Sequence, residues 1–210
     1  MAQTLRIDED GVDAARTGLE RAVGDGGVVL FPADGLYGLA CDPLSKSAID
    51  RIHELKGRDE GKPSAVMYFS PLAMRELLGE IGPRAGEAAG RLLPGPVTLV
   101  IANPSGRYPL ACGDDPSRLG VRLIGGALAG ARVAVFQTSA NRSGEPPTAR
   151  FGDVDPAIAG GVDLAIDGGE LGGEPSTVVD LAEIDAGGDW AVLREGALDR
   201  VELERILAGA

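Results

Sequence analysis

The chain has 210 residues, 44% hydrophobic and 25% charged, with 32 acidic against 20 basic side chains and a formal net charge of −12. This is the composition of a soluble globular protein large enough to bury a core unaided, and it excludes the disordered, fibrous and nonspecific polyanion-binding classes. No apolar run nears the roughly 18 residues of a membrane span and the first residues lack the apolar stretch of a signal peptide, so one cytoplasmic domain over residues 1–210, with no membrane partner, is expected.

Taken in chain order, residues 10–24 place Val12, Ala15, Leu19, Ala22 and Val23 on one helical face, and Gly26-Gly27 then leads into a buried strand over 28–31. Residues 37–41 read as a second strand. Ser45 is placed to cap a helix carrying Ala48, Ile49, Ile52 and Leu55 inward and ending near Gly57. A strand over 65–69, helices over 71–78 and 84–93, and a strand over 97–102 follow, the last after the turn Pro94-Gly95-Pro96. Five more strands are expected at 120–123, 133–138, 164–166, 177–181 and 190–193, and a helix at 201–207 closes the chain. Helices interleaved with short strands predict an α/β fold, a mixed sheet flanked by helices, with antiparallel pairs in the second half where helices thin out.

Few residue types are available for covalent or metal chemistry. The two cysteines, Cys41 and Cys112, have no CxxC companion and no neighbouring histidine, so buried free thiols are expected. The single histidine, His53, would have to build a relay or a metal site alone. Lysine occurs only at 46, 56 and 62, and all other basic residues are arginine.

The run Lys56-Gly57-Arg58-Asp59-Glu60-Gly61-Lys62-Pro63 leaves a helix and enters a strand. Its cations suit a polyphosphate clamp, lysine supplying point charge and arginine a bidentate fork. They equally complement a helix C-terminus, with Asp59 and Glu60 neutralising them locally. A second segment, 133–147, runs a hydrophobic strand into Thr138-Ser139-Ala140-Asn141, polar groups at a sheet end where ligands of α/β folds bind. The same residues also serve simply as turn formers. Weaker signals are Phe31-Pro32-Ala33-Asp34-Gly35-Leu36-Tyr37-Gly38-Leu39, Pro94-Gly95-Pro96-Val97-Thr98, Val121-Arg122, Asp167-Gly168-Gly169, Ser176-Thr177-Val178-Val179-Asp180 and Leu193-Arg194-Glu195-Gly196. No Walker loop or GxGxxG accompanies them.

In this order the segments resemble the YrdC/Sua5 family, the threonylcarbamoyl-AMP synthases, from about Gly26 to Gly196. The family motifs matched are Phe-Pro-Thr-Glu-Thr-Val-Tyr-Gly-Leu, Lys-x-Arg before Lys-Pro, Pro-Gly-Pro-Thr, Ala-Val-Arg, Ser-Ala-Asn, Asp-Gly-Gly, Ser-Thr-Ile-Val-Asp and Leu-Arg-Gly. The resemblance implies a YrdC/RibB-like fold, a twisted mixed parallel and antiparallel sheet around a large concave cationic cavity. The chain's length implies the short form without the C-terminal domain of longer Sua5 proteins.

The implied reaction joins L-threonine, bicarbonate or CO2, and ATP into threonylcarbamoyl-AMP and pyrophosphate, with Mg2+ accompanying ATP. By the resemblance, Lys56 and Arg58 are the catalytic pair, and Lys56, Arg58, Lys62, Ser139, Asn141 and Arg194 hold ATP. Asp34, Tyr37, Met67, Arg122, Thr138 and Ser176 border the amino acid. The implied partners are the threonylcarbamoyl-transfer proteins acting on adenosine 37 of tRNA. RNA binding, also attributed to the family, is expected to be weak at this net charge.

The sequence departs from the family at the amino-acid side. Ala33-Asp34-Gly35 replaces Thr-Glu-Thr, removing two hydroxyls, and Met67 stands where many members have histidine. The runs 171–177 and 192–196 are similar to YciO-type paralogues, which keeps a noncatalytic nucleotide- or RNA-binding role, or a relative using another amine, as the alternative.

Overall fold

A computed structural model describes residues 3–59 and 61–208. Among them ten strands form one sheet: β1 (Gln3–Arg6), β2 (Val29–Ala33), β3 (Leu36–Cys41), β4 (Ala65–Tyr68), β5 (Val97–Ala102), β6 (Arg118–Leu123), β7 (Ala134–Ser139), β8 (Leu164–Asp167), β9 (Thr177–Asp180) and β10 (Ala191–Arg194). Their spatial order is β1-β8-β2-β3-β7-β4-β6-β5-β9-β10. Neighbours pair in parallel at β1/β8, β2/β8, β4/β6 and β5/β9 and antiparallel elsewhere, so the sheet is mixed, as expected.

Helices α1 (Ile7–Asp10), α2 (Val12–Gly24), α3 (Lys46–Lys56), α4 (Pro71–Leu78), α5 (Pro83–Leu92), α6 (Pro156–Gly161) and α7 (Arg200–Ala208) accompany it. The caps follow from local chemistry. Ser45 Oγ accepts from Ala48 N–H at the start of α3, and Gly57 closes that helix in the left-handed region at φ 58°. Ser70 Oγ does the same for α4, with Pro71 at its first turn. Most expected elements are present with ends displaced by a residue or two. β1, α1 and α6 are additions, because β1 is largely exposed and carries no alternation, α1 is a single four-residue turn, and α6 is a six-residue helix capped by Asp155.

Alternation along the strands divides the side chains between two cores. Leu30, Leu39, Val66, Leu99, Val121, Phe136 and Val179 face the larger one, closed by α3, α4, α5, α6 and α7. Val29, Phe31, Met67, Val135 and Ile166 face the smaller one, closed by Ala15, Leu19 and Val23 of α2 and by Leu128 and Ala131. α2 packs chiefly on the β1/β8/β2 end of this second face. The rest of the face, across β4, β6, β5 and β9, has no helix over it, and there the cavity opens.

Candidate active site

The cavity has a volume of about 850 Å³. Its floor is small where the strands cross it, at Ala65 and Gly120, and polar around that floor, at Arg122, Gln137, Thr98 and Ser176. All but Ser176, which immediately precedes β9, occupy the second-face position of their strands, so the pleat itself aims them inward.

Arg122, only 6% exposed, is the most deeply held cation of the cavity lining. Its Nη2 donates to Asp34 Oδ2 at 2.6 Å, Nη1 reaches Gln137 Oε1 at 3.4 Å, and Nε is buried without a partner. Asp34 arrives from the two-residue turn between β2 and β3, with φ 65°, a conformation Asp tolerates better than most residues. Gly35 follows because nothing larger fits: an added Cβ there would collide with the Glu174 carbonyl oxygen. Arg194 donates from Nη2 to Ser176 O at 2.7 Å and to Ser176 Oγ at 3.2 Å.

Arg58 enters from the loop after α3. Nη1 donates to Thr138 Oγ1 at 2.7 Å, Nη2 to Pro63 O at 2.7 Å, and Nε is buried without a partner. Burial holds the Arg58 and Arg194 guanidinium groups below the usual arginine range. Neither has a carboxylate partner among the described residues. Asp59 pairs with Lys62 at 3.2 Å and leaves Arg58 alone, while Glu60 lies outside the described residues. Two cations facing a cavity without carboxylate partners among the described residues, Arg58 half-buried and Arg194 exposed, make a site for an anion.

Of the residues singled out from sequence, Arg58, Thr138, Ser139, Arg122, Ser176, Arg194 and Tyr37 line the cavity, and Asp34 meets it through Arg122. Four do not line it. Lys62 is on the surface with Asp59. Met67 is 0% exposed; it lies beside Arg122 in the β4/β6 register but is packed into the smaller core. Asn141 donates to Arg142 O and Glu145 O, bracing the turn after β7. Lys56 is 3% exposed and its Nζ donates to the carbonyls of Ser139 and Asn141, lacing α3 to that turn. It therefore meets the cavity through Ser139.

Burial first, and the charge of Arg58 second, lower Lys56 to about 8. The unfolded chain keeps this proton up to the ordinary 10.5, so between about pH 8 and 10.5 the unfolded lysine binds more protons than the native one and its contribution to stability rises with pH. Lys56→Met is expected to remove that rise from urea denaturation curves taken on either side of pH 8. A slope that survives the substitution assigns the titration elsewhere.

Sequence reasoning missed Arg118, whose Nη2 pairs with Asp180 Oδ2 inside the cavity, and gave no individual role to Gln137 and Thr98, members of two of its candidate segments. The signal was present: Arg118-x-Gly120-x-Arg122 alternates on one strand, so both arginines share a face.

Comparison with known proteins agrees with this architecture. A model of the Sua5/YciO/YrdC family, described as Telomere recombination, matches residues 21–196. The threonylcarbamoyl-AMP synthase of Thiobacillus denitrificans is 31% identical over 177 residues, 81% of this chain and 93% of the relative. That of Pyrococcus abyssi is 32% identical over 191 residues, 87% of this chain and 54% of the relative. The crystal structure of P. abyssi Sua5 complexed with L-threonine superposes with a TM-score of 0.83 at 29% identity, covering 98% of this chain and 60% of that one. Escherichia coli YciO shares the fold, with a TM-score of 0.79 at 24% identity over 95% of this chain and 98% of that one. With the family match spanning most of its length and an identity above 30% to a synthase it covers almost completely, this chain belongs to the Sua5/YciO/YrdC family.

Proposed function

We propose that this protein is a carbamoyl-adenylate synthase of the threonylcarbamoyl-AMP type. The observation that carries the reading is the charge layout of one cavity. Arg58 and Arg194 face it with no carboxylate partner among the described residues, while Arg122, neutralised by Asp34, stands deeper. The unpaired cations suit a triphosphate and the deeper arginine suits an amino-acid carboxylate.

An amine and bicarbonate lose water to give a carbamate. A carbamate oxygen then forms a bond to the α-phosphorus of ATP as the bond to the β-phosphate bridging oxygen breaks, releasing pyrophosphate. Such a step asks the protein for positioning and for stabilisation of leaving-group charge, with no side-chain nucleophile. Magnesium enters as the ATP complex and is part of that substrate. The adenylate then passes to proteins that transfer its carbamoyl group to tRNA.

The test is mass spectrometry of the protein incubated with ATP, magnesium, bicarbonate and single amino acids. A carbamoyl-adenylate formed with stoichiometric pyrophosphate is expected. ATP retained in the protein without any adenylate, whichever amine is supplied, overturns the synthase reading in favour of a noncatalytic nucleotide-binding paralogue.

A further inference from the structure

The loop that brings Arg58 to the cavity starts at Lys56, the last residue of α3, and both side chains end on the same short piece of chain at the close of β7. Lys56 Nζ donates to Ser139 O and, at 2.7 Å, to Asn141 O, while Ser143 N–H donates back to Lys56 O at 2.8 Å. Gly57 follows in the left-handed region at φ 58°, and Arg58 N–H donates to His53 O at 3.0 Å, so the helix stops and the chain turns at that glycine. Arg58 Nη1 then reaches Thr138 Oγ1 at 2.7 Å, on the residue before the carbonyl that Lys56 holds. Ser139, tied by that carbonyl to Lys56, is itself part of the cavity lining.

A tie of this kind is costly for the fold. Lys56 is 3% exposed, its hydrogen-bond acceptors are carbonyl oxygens, and the like charge of Arg58 acts on it. An ammonium so placed loses hydration that neutral dipoles return only in part. What it supplies is several donors on one atom at the end of a long stem, so that two carbonyls of one turn are gathered at a single point. Gathering them fixes the direction of the turn, and with it the way Thr138 and Ser139 stand toward Arg58.

We infer that Lys56 is a positioning residue: it holds the end of α3 to the turn after β7 so that Arg58, Thr138 and Ser139 meet an anion in one geometry, and it touches no ligand itself. The inference rests on the proposed function and specifies which member of the Lys56-x-Arg58 pair contacts the nucleotide. Two independent phosphate ligands lose rate multiplicatively when both are removed, whereas a residue that works through Arg58 has little left to place once Arg58 is gone.

The experiment is adenylate formation at varied ATP by Lys56→Met, Arg58→Ala and the double variant, with urea stability measured in parallel. Lys56→Met is expected to lower kcat/KM for ATP by about 10² in the native background and by less than about tenfold when residue 58 is already alanine. A larger further loss in the Arg58→Ala background overturns the inference, as does native activity in Lys56→Met. Lys56→Gln keeps an uncharged donor for the carbonyls and is expected to stay within about tenfold of the native kcat/KM; a greater loss means that the charge itself is required, and overturns the inference. Should Lys56→Met fail to fold, the glutamine variant decides alone by the same criterion. Should the native protein form no adenylate, the synthase reading fails separately, and calorimetric ATP affinity in the same set of variants decides the placement. A smaller effect of Lys56→Met in the Arg58→Ala background supports it, and multiplicative losses or no binding of ATP overturn it.

Discussion

Replacing Arg122 by alanine is expected to cost about 3 kcal/mol of folding stability, a fall of about 6–12 °C in Tm for a chain of this size. The size follows from what the substitution leaves behind. Asp34 is one-quarter exposed at its side chain and has Arg122 as its ion-pair partner, so its carboxylate would stay largely out of water with no cation. Breaking one half of such a pair costs more than the pair contributes, because the desolvation already incurred is no longer offset.

The penalty also has a signed pH dependence. Burial raises Asp34 above the ordinary 3.8, and the charge and hydrogen bond of Arg122 oppose that rise. Without Arg122 the carboxyl is raised further. A group whose folded value exceeds its unfolded one stabilises the fold fully below 3.8 and loses that contribution as pH rises through the folded value. The difference between the native protein and Arg122→Ala is therefore expected to be largest at neutral pH and to shrink in mild acid, and Asp34→Asn in the same background should restore part of it. Urea denaturation of the three proteins against pH measures this. A pH-independent deficit, or one below about 1 kcal/mol, would mean that the pair is a solvent-screened contact of the surface kind.

Arg58→Ala is expected to lower kcat/KM for ATP by about 10³ in the proposed reaction, with Arg58→Lys restoring little of it. Arg58 spends Nη1 on Thr138 and Nη2 on Pro63, which locks the plane of the guanidinium and leaves the buried Nε without a partner. A lysine ammonium cannot bridge Thr138 and Pro63 and also present a donor to an anion in a defined plane. The readout is adenylate formation at varied ATP, with urea stability in parallel to separate lost chemistry from a loosened loop. Activity within about tenfold of the native protein would remove Arg58 from the nucleotide site.

Local chemistry explains why so much of the scaffold was legible. The apolar spacing of α2 and α3, the Ser45 cap, the Gly57 stop and the apolar runs of β2 and β7 each draw on interactions within a few residues. β1 escaped because a largely exposed edge strand has no alternation to read, and Arg118 escaped because the start of β6 was placed two residues late.

The site divides in the same way. Motif order alone pointed to Arg58, Ser139, Arg122, Ser176 and Arg194, and all five line the cavity. The same reasoning gave Lys56, Asn141 and Met67 equal standing, yet Lys56 and Asn141 brace the turn after β7 and Met67 fills a core. A motif records which residue types recur at a spacing, and it does not record whether a long side chain turns toward ligand or toward a neighbouring carbonyl.

By itself, then, the sequence determined the α/β class, the approximate limits of five helices, the family resemblance and the absence of hydroxyls at 33 and 35, all properties of composition or of short spacings. The tertiary structure alone decided the strand order, the sharing of one sheet face between α2 and an open cavity, and the pairing of Asp34 with Arg122 and of Arg118 with Asp180. Those pairs join positions 88 and 62 residues apart. Their geometry depends on strand register and on how far one helix extends across a sheet, quantities set by packing of the whole chain and carried by no local stretch of it.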